Sequence, residues 1–196
     1  MSYHLYTTEG WILGSSDTGE ANRYLEIFTK DLGLLRAHAQ GARYLKSKQR
    51  YNLQTFSSVK VSLVCGKEIW RLTSALTIIL AKDLMKDPAR LQLITRVFSL
   101  LKRLVRGEDK DEKLYNDLDT SINFLIKNDL NDEFLKNFET VLVLRILSHL
   151  GYTAENKDLD GRLFFADWNI PSLALGSELR KKAISQINLA LANSQL

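Results

Sequence analysis

Along this chain the period at which apolar residues recur changes once, from two to that of a helix, close to Leu76. A strand side chain returns to the same face every second residue and a helical one every three or four, so the switch divides the chain into a β-rich and an α-rich part. Trp11 and Leu13 open a first run, and Ser15-Ser16-Asp17-Thr18-Gly19 reads as the turn that ends it. Leu25, Ile27 and Thr29 alternate with Tyr24, Glu26 and Phe28 in a second run, which stops at Lys30-Asp31-Leu32-Gly33. In the third, Leu35, Ala37 and Ala39 alternate with Arg36, His38 and Gln40. Val59, Val61, Leu63 and Cys65 form a fourth run and residues 69–73 a fifth, after Gly66-Lys67. Five short strands in about 75 residues are expected to close into a small barrel of the OB-fold kind.

Beyond the switch, Asp87-Pro88 is a helix start, an N-cap followed by proline at the first helical position. Leu91, Ile94, Val97, Phe98, Leu101, Leu104 and Val105 then form one apolar stripe that stops at Gly107, and the charged residues 108–113 read as a solvated connector. Leu114, Leu118, Ile122 and Leu125 mark another helix, and residues 134–150 a third that ends at Gly151, where glycine can adopt the left-handed cap. Ser177 is expected to cap a last helix through Ile184, Ile187 and Leu191. The expected fold is thus α+β. Residues 1–77 form the barrel domain and residues 78–196 a helical bundle domain, with a short cysteine-free hairpin near 156–166.

With 196 residues, 45% of them apolar, the chain can bury a substantial core. It offers no window of roughly 20 uncharged apolar residues for a membrane span and no basic, then apolar, leader at its start, so a cytoplasmic protein is expected. The single cysteine, Cys65, falls on the apolar side of its run and is expected to fill the core.

Charge is distributed unevenly. Residues 1–80 hold 10 Lys+Arg against 6 Asp+Glu and the remainder holds 17 against 17, so the whole formal charge of +4 lies in the β-rich part. Within it, the stretch from Arg36 to Arg50 carries Arg36, His38, Arg43, Lys46, Lys48 and Arg50 and no acidic residue. Such a stretch can be a solvated face and nothing more. Two features point instead to a polyanion: it begins on the polar side of a strand, and it brings Tyr44 and Tyr51, aromatic rings on which bases stack. Arg23 and Arg71 are candidate additions from neighbouring strands. In the helical part, Lys102, Arg103 and Arg106 gather at the end of an apolar helix, where cations complement the helix dipole and an acidic peptide with an apolar terminus could dock.

Signatures of catalysis are missing. His4, His38 and His149 have no metal-ligand spacing, and no glycine-rich phosphate loop precedes a helix. Ser99-Leu100-Leu101-Lys102 matches an acyl-transfer pattern but lacks its companion motifs. Asn156, Asp158, Asp160, Gly161, Leu163 and Asp167 follow the spacing of a calcium loop. Asn at its first position, Asp in place of the bidentate Glu at its last and Phe164 at its ninth together remove charge and ligand atoms, and Asp160-Gly161 favours the hairpin, with 162–165 as strand. Neither an enzyme nor a cofactor is expected. Besides DNA binding, the residues leave open an RNA-binding OB module and a structural adaptor that binds no nucleic acid.

A set of ordered segments carries a family resemblance: Thr8-Glu9-Gly10-Trp11-Ile12-Leu13, Gly19-Glu20-Ala21-Asn22-Arg23, Phe28-Thr29-Lys30-Asp31-Leu32-Gly33-Leu34, Gly41-Ala42-Arg43 with Lys46-Ser47-Lys48, Leu53-Gln54-Thr55-Phe56 and Trp70-Arg71-Leu72-Thr73. In order and spacing they resemble the bacterial recombination-mediator and DNA-repair family RecO over residues 8–75, and residues 138–152 are similar to that family's central helix. The resemblance implies an N-terminal OB-fold joined to a helical domain and a protein without enzymatic turnover. It further implies that the protein binds single- and double-stranded DNA at the nucleoid and anneals complementary strands. The implied partners are RecR and the acidic C-terminal tail of single-strand binding protein, with RecA loaded indirectly. Many members carry a four-cysteine zinc site after the Leu-Gly-Tyr segment. Residues 153–166 hold no cysteine, so no zinc finger is expected, and the C-terminal region is short for the family.

Overall fold

The computed structural model describes residues 4–47, 49–67, 69–153, 159 and 161–194. By its internal packing the chain divides into two units, residues 1–94 with 105–115, and residues 95–104 with 116–196.

The first unit is built on a closed five-stranded barrel with strands β1 (Leu5–Thr18), β2 (Asn22–Thr29), β3 (Gly33–Ala39), β4 (Ser58–Cys65) and β5 (Trp70–Ile79). Around the barrel the order is β1-β2-β3-β5-β4, antiparallel except where β3 meets β5, as in an OB-fold. The alternation in the sequence fixes which side chains point inward. Ile12, Leu25, Ile27, Leu35, Ala37, Ala39, Val59, Val61 and Leu63 fill the interior, with Ala42 and Leu53 entering from the segment between β3 and β4. That segment includes one helical turn, α1 (Gln49–Asn52), whose Asn52 Nδ2 donates to the Ala75 carbonyl of β5 at 3.1 Å.

Three expectations for the barrel change. Ser15 to Thr18 belong to β1 and pair with Leu25 to Asn22, because a register continuous from Gly14 outweighs their turn propensity and moves the turn to residues 19–21. β5 continues past Thr73 to Ile79, paired with β4 along its length. Cys65 is exposed, not buried. It is the last residue of β4, and Gly66 begins the next turn immediately after it, so the inward alternation reaches Cys65 at the rim.

The expected solvated connector is tied to this unit. Glu108 accepts from Trp70 Nε1 at 2.7 Å, Lys110 pairs with Asp31, and Glu112 with Lys30. After β5 come α2 (Ala81–Met85) and α3 (Pro88–Leu104); Asp87 caps α3, its carboxylate accepting from Ala89 N at 2.9 Å.

The second unit is helical. Among its elements are α4 (Glu112–Lys127, from Asn116 on), α5 (Asp132–His149), α6 (Arg162–Phe165), α7 (Ile170–Leu173) and α8 (Ser177–Asn193). α5 is its axis: Leu135, Phe138, Val141, Leu142, Leu144, Ile146 and Leu147 are all buried, more than one face of a surface helix, and α6, α7 and α8 pack around it. Asn131 caps its start by accepting from Phe134 N. At its end Gly151 takes φ +77°, with Gly151 N–H donating to Ser148 and Tyr152 N–H to Leu147, which is the paired closure that expected glycine permits.

Two expectations fail here. The expected strand at 162–165 is a helical turn, because Leu163 and Phe164 are buried in succession, which a one-sided strand does not allow. The remainder of that hairpin, with Asn156, Asp158 and Asp160 of the calcium-loop spacing, lies outside the described residues. α8 is capped at Gly176, not Ser177, and buries Ala183, Ile187 and Ala190, whereas Ile184 is exposed. Among the described residues no helix is long and apolar enough to cross a membrane.

Candidate nucleic-acid interface

The alternation of β3 puts Leu35, Ala37 and Ala39 in the core and leaves Arg36 exposed and His38 half-buried on the outer surface. The neighbouring strands extend that surface. His38 pairs with Tyr24 of β2 on one side and with Arg71 of β5 on the other. The Tyr24 and His38 ring centroids are 5.2 Å apart, and the Arg36 guanidinium lies over the Tyr24 ring, 4.3 Å from its centroid. Cation, phenol, imidazole and a second cation therefore follow one another across β2, β3 and β5. Tyr24 was not singled out in the sequence, because its place depends on the β2–β3 register.

The basic loop after β3 is pinned to the β1–β2 hairpin. Gly41 N–H donates to Asn22 Oδ1 at 2.9 Å and takes φ +65°, and Arg43 N–H donates to the Ala21 carbonyl at 2.9 Å. Ala42 between them is a core residue, so the loop is held from beneath while its other side chains project. Arg43, Tyr44, Leu45, Lys46 and Ser47 line an open depression of about 750 Å³. Tyr44 and Tyr51 are 61% and 68% exposed, enough ring area for bases to stack. Lys46 and Arg50 are exposed as well; Lys48 lies outside the described residues.

The stretch that lacks acid in the sequence does not lack it in space. Asp17, near the end of β1, accepts from Arg23 Nε at 3.0 Å and pairs with Arg43 Nε at 3.3 Å, so Arg23 belongs with Arg43 in a small cluster. Glu26 stands across from Arg36 in the β2–β3 ladder. The candidate interface thus has two parts, the Tyr24–Arg36–His38–Arg71 surface and the loop from Arg43 to Arg50.

In the helical part, Lys102 and Arg103 are exposed in the last turn of α3 and Arg106 is exposed beyond it. Ser99 and Lys102 sit on the same amphipathic helix. Among the described residues no three His, Cys, Asp or Glu side chains form a metal-holding group.

Residues 1–81 match the family described as Recombination protein O N terminal. DNA repair protein RecO of Alkaliphilus metalliredigens is 28% identical over 140 residues, which is 71% of this chain and 57% of that protein. DNA repair protein RecO of Roseiflexus sp. is 29% identical over 152 residues, 78% of this chain and 52% of its own. That of Rubrobacter xylanophilus is 30% identical over 125 residues, 64% and 50%. The chain spans about half the length of the curated relatives it matches.

Proposed function

We propose that this chain, whose residues 1–81 match the family described as Recombination protein O N terminal, acts in DNA repair and recombination by binding single- and double-stranded DNA on the outer barrel surface. The observation that carries this reading is the Arg36 guanidinium stacked on Tyr24 beside His38 and Arg71. Cations there neutralise phosphates and rings meet bases. Arg43, Lys46, Lys48 and Arg50 continue the phosphate track along the loop, with Tyr44 and Tyr51 as further stacking rings.

Annealing of complementary strands follows from such a surface without catalysis. Two strands repel through their phosphates, and a protein that screens that charge while leaving base edges free lets them pair. The relatives named DNA repair protein RecO support a role in repair, and the match to the family described as Recombination protein O N terminal supports one in recombination. Its finer form would be assistance to recombinase loading with RecR on strands coated by single-strand binding protein. The tail of that protein, an acidic peptide, suits Lys102, Arg103 and Arg106. Charge reversal at Arg103 and Arg106 should abolish capture of the tail peptide, and unchanged binding would move the site elsewhere.

The test of the main reading is a strand-annealing assay, with and without single-strand binding protein, run beside anisotropy titrations of fluorescent oligonucleotides. Accelerated annealing and salt-sensitive binding are expected. Absence of binding at physiological salt would favour a structural adaptor, and preference for RNA over DNA of equal length an RNA module.

A further inference from the structure

Two arginines meet one carboxylate at the end of the β1–β2 hairpin, and how they meet it is informative. Asp17 and Arg23 are cross-strand partners in the register, and Arg43 arrives from the loop after β3. Each arginine uses Nε: Arg23 Nε donates to Asp17 Oδ1 at 3.0 Å, and Arg43 Nε pairs with Oδ2 at 3.3 Å. A guanidinium held through Nε keeps its two Nη nitrogens for another acceptor, and those form the fork that grips a phosphate. Arg43 Nη1 makes only a long bond, 3.4 Å, to the Gly19 carbonyl. The three side chains remain partly open, at 24% for Arg23, 36% for Arg43 and 49% for Asp17, so a ligand can reach them. The cluster carries two positive charges and one negative. Its net single positive charge complements a phosphodiester monoanion.

We infer that Asp17 is a positioning residue that holds Arg23 and Arg43 as the two arms of a clamp for one backbone phosphodiester. The inference rests on the DNA-binding reading above. An exposed ion pair of this kind adds little to stability, so folding alone gives weak reason for a carboxylate beside two cations on a polyanion-binding face. Orientation is a better reason. Free arginine side chains lose considerable rotamer freedom on gripping a phosphate, and a carboxylate that has already fixed them removes that loss from binding.

Simple charge counting makes the opposite prediction, which gives the test its power. Deleting an acidic group next to bound DNA should strengthen attraction; deleting a positioning group should weaken binding. The experiment is an anisotropy titration of a fluorescent oligothymidylate against wild type, Asp17→Ala, Asp17→Asn and Arg23→Ala/Arg43→Ala, each over a series of salt concentrations. Asp17→Ala should bind more weakly and with a shallower dependence of log K on log salt. The limit is loss of the one clamped phosphate, about 0.7 in slope for a single strand, or about 5-fold in affinity at 0.1 M salt. Asp17→Asn keeps one oxygen acceptor and should fall between Ala and wild type, and it covers the case in which Ala loosens the hairpin. In the Arg23→Ala/Arg43→Ala background Asp17→Ala should cause no further loss. Unchanged or tighter binding by both Asp17 variants would overturn the inference while leaving the DNA-binding reading intact, and so would an equal loss in the double-arginine background. Absence of binding by the wild type would overturn both.

Discussion

Arg36 lies with its guanidinium carbon 4.3 Å from the centroid of the Tyr24 ring, on an adjacent strand of the barrel. The stack fixes a flexible cation on a strand surface that is otherwise backed by the rigid core residues Leu35 and Ala37. If bases use the ring and phosphates the cation, the two substitutions separate. Arg36→Ala should reduce affinity for a single-stranded oligonucleotide by about 5-fold at 0.1 M salt and flatten the salt dependence by about 0.7. Tyr24→Leu should cost about 1 kcal/mol with the salt dependence unchanged, because it removes a stacking face and no charge. Thermal denaturation of both variants should remain close to wild type.

The salt dependence of the whole interface follows from counting cations. Arg36, Arg43, Lys46, Lys48 and Arg50 together give a slope of log K against log salt near −3.5, at about −0.7 per single-strand contact. Changing Arg43, Lys46 and Lys48 together to Ala should bring it to about −1.4. A slope that the triple variant leaves unaltered would exclude the loop from the interface and leave only the strand surface.

How much of this was legible in the sequence depended on the range of the interaction. Period-two alternation along β3 is local, and it correctly put Arg36 and His38 outside and Leu35, Ala37 and Ala39 inside. The helix start at Asp87-Pro88 and the stop at Gly151 were legible for the same reason, since each is set by residues within one turn. Tyr24 and Asp17 were not, because their neighbours are fixed by strand register and by the fold of the loop after β3. Ser15 to Thr18 misled in the opposite direction: four small polar residues favour a turn, but a strand already paired at Ile12 and Gly14 carries them on as strand. Arg162 to Phe165 misled because three apolar residues after an arginine are too short a run to show the period that tells strand from helix.

Trp70 supplies a test of the segment that follows α3. Its indole is nearly buried, Nε1 donates to Glu108 at 2.7 Å, and Tyr6 meets its ring edge-on at 5.2 Å. Glu108→Ala leaves that donor without its charged acceptor, a loss of about 1 to 3 kcal/mol. Glu108→Gln retains an acceptor and should recover most of it. Chemical denaturation followed by fluorescence measures both; equal stability of Glu108→Ala and wild type would show that the contact contributes nothing to holding residues 105–115 in place.

In the helical unit, an ion pair between buried Arg145 and partly buried Asp117 should make stability depend on pH in a direction that can be worked out. Asp117 accepts from Arg145 Nη1 at 3.0 Å and from Trp168 Nε1 at 2.8 Å, and His149 Nε2 lies 3.5 Å from its other oxygen. Arg145 also donates to the carbonyls of Leu163 and Ala166 and lies over the Trp168 ring, so one side chain of α5 joins α4, α6 and the segment after α6. Burial pushes the Asp117 carboxyl up. The hydrogen bond to His149, the Arg145 charge and the bonds from Trp168 and Arg145 outweigh it and hold the carboxyl below its usual value of 3.8. A group whose folded value is depressed binds its proton more readily when unfolded. Its contribution is therefore complete above the unfolded value and is lost as pH falls through the folded one. Stability should be flat near neutrality with respect to this group and decline below about pH 4, and Asp117→Asn should remove that part of the decline. Arg145→Ala should be far more damaging at neutral pH, by about 3 to 5 kcal/mol, because it leaves a buried carboxylate without its cation. That cost should shrink in acid, where the stranded carboxyl takes up a proton. Thermal denaturation of wild type and both variants from pH 3 to 7 would measure this, and an Arg145→Ala deficit equal at both ends would show that packing, and not the charge on Asp117, sets the loss.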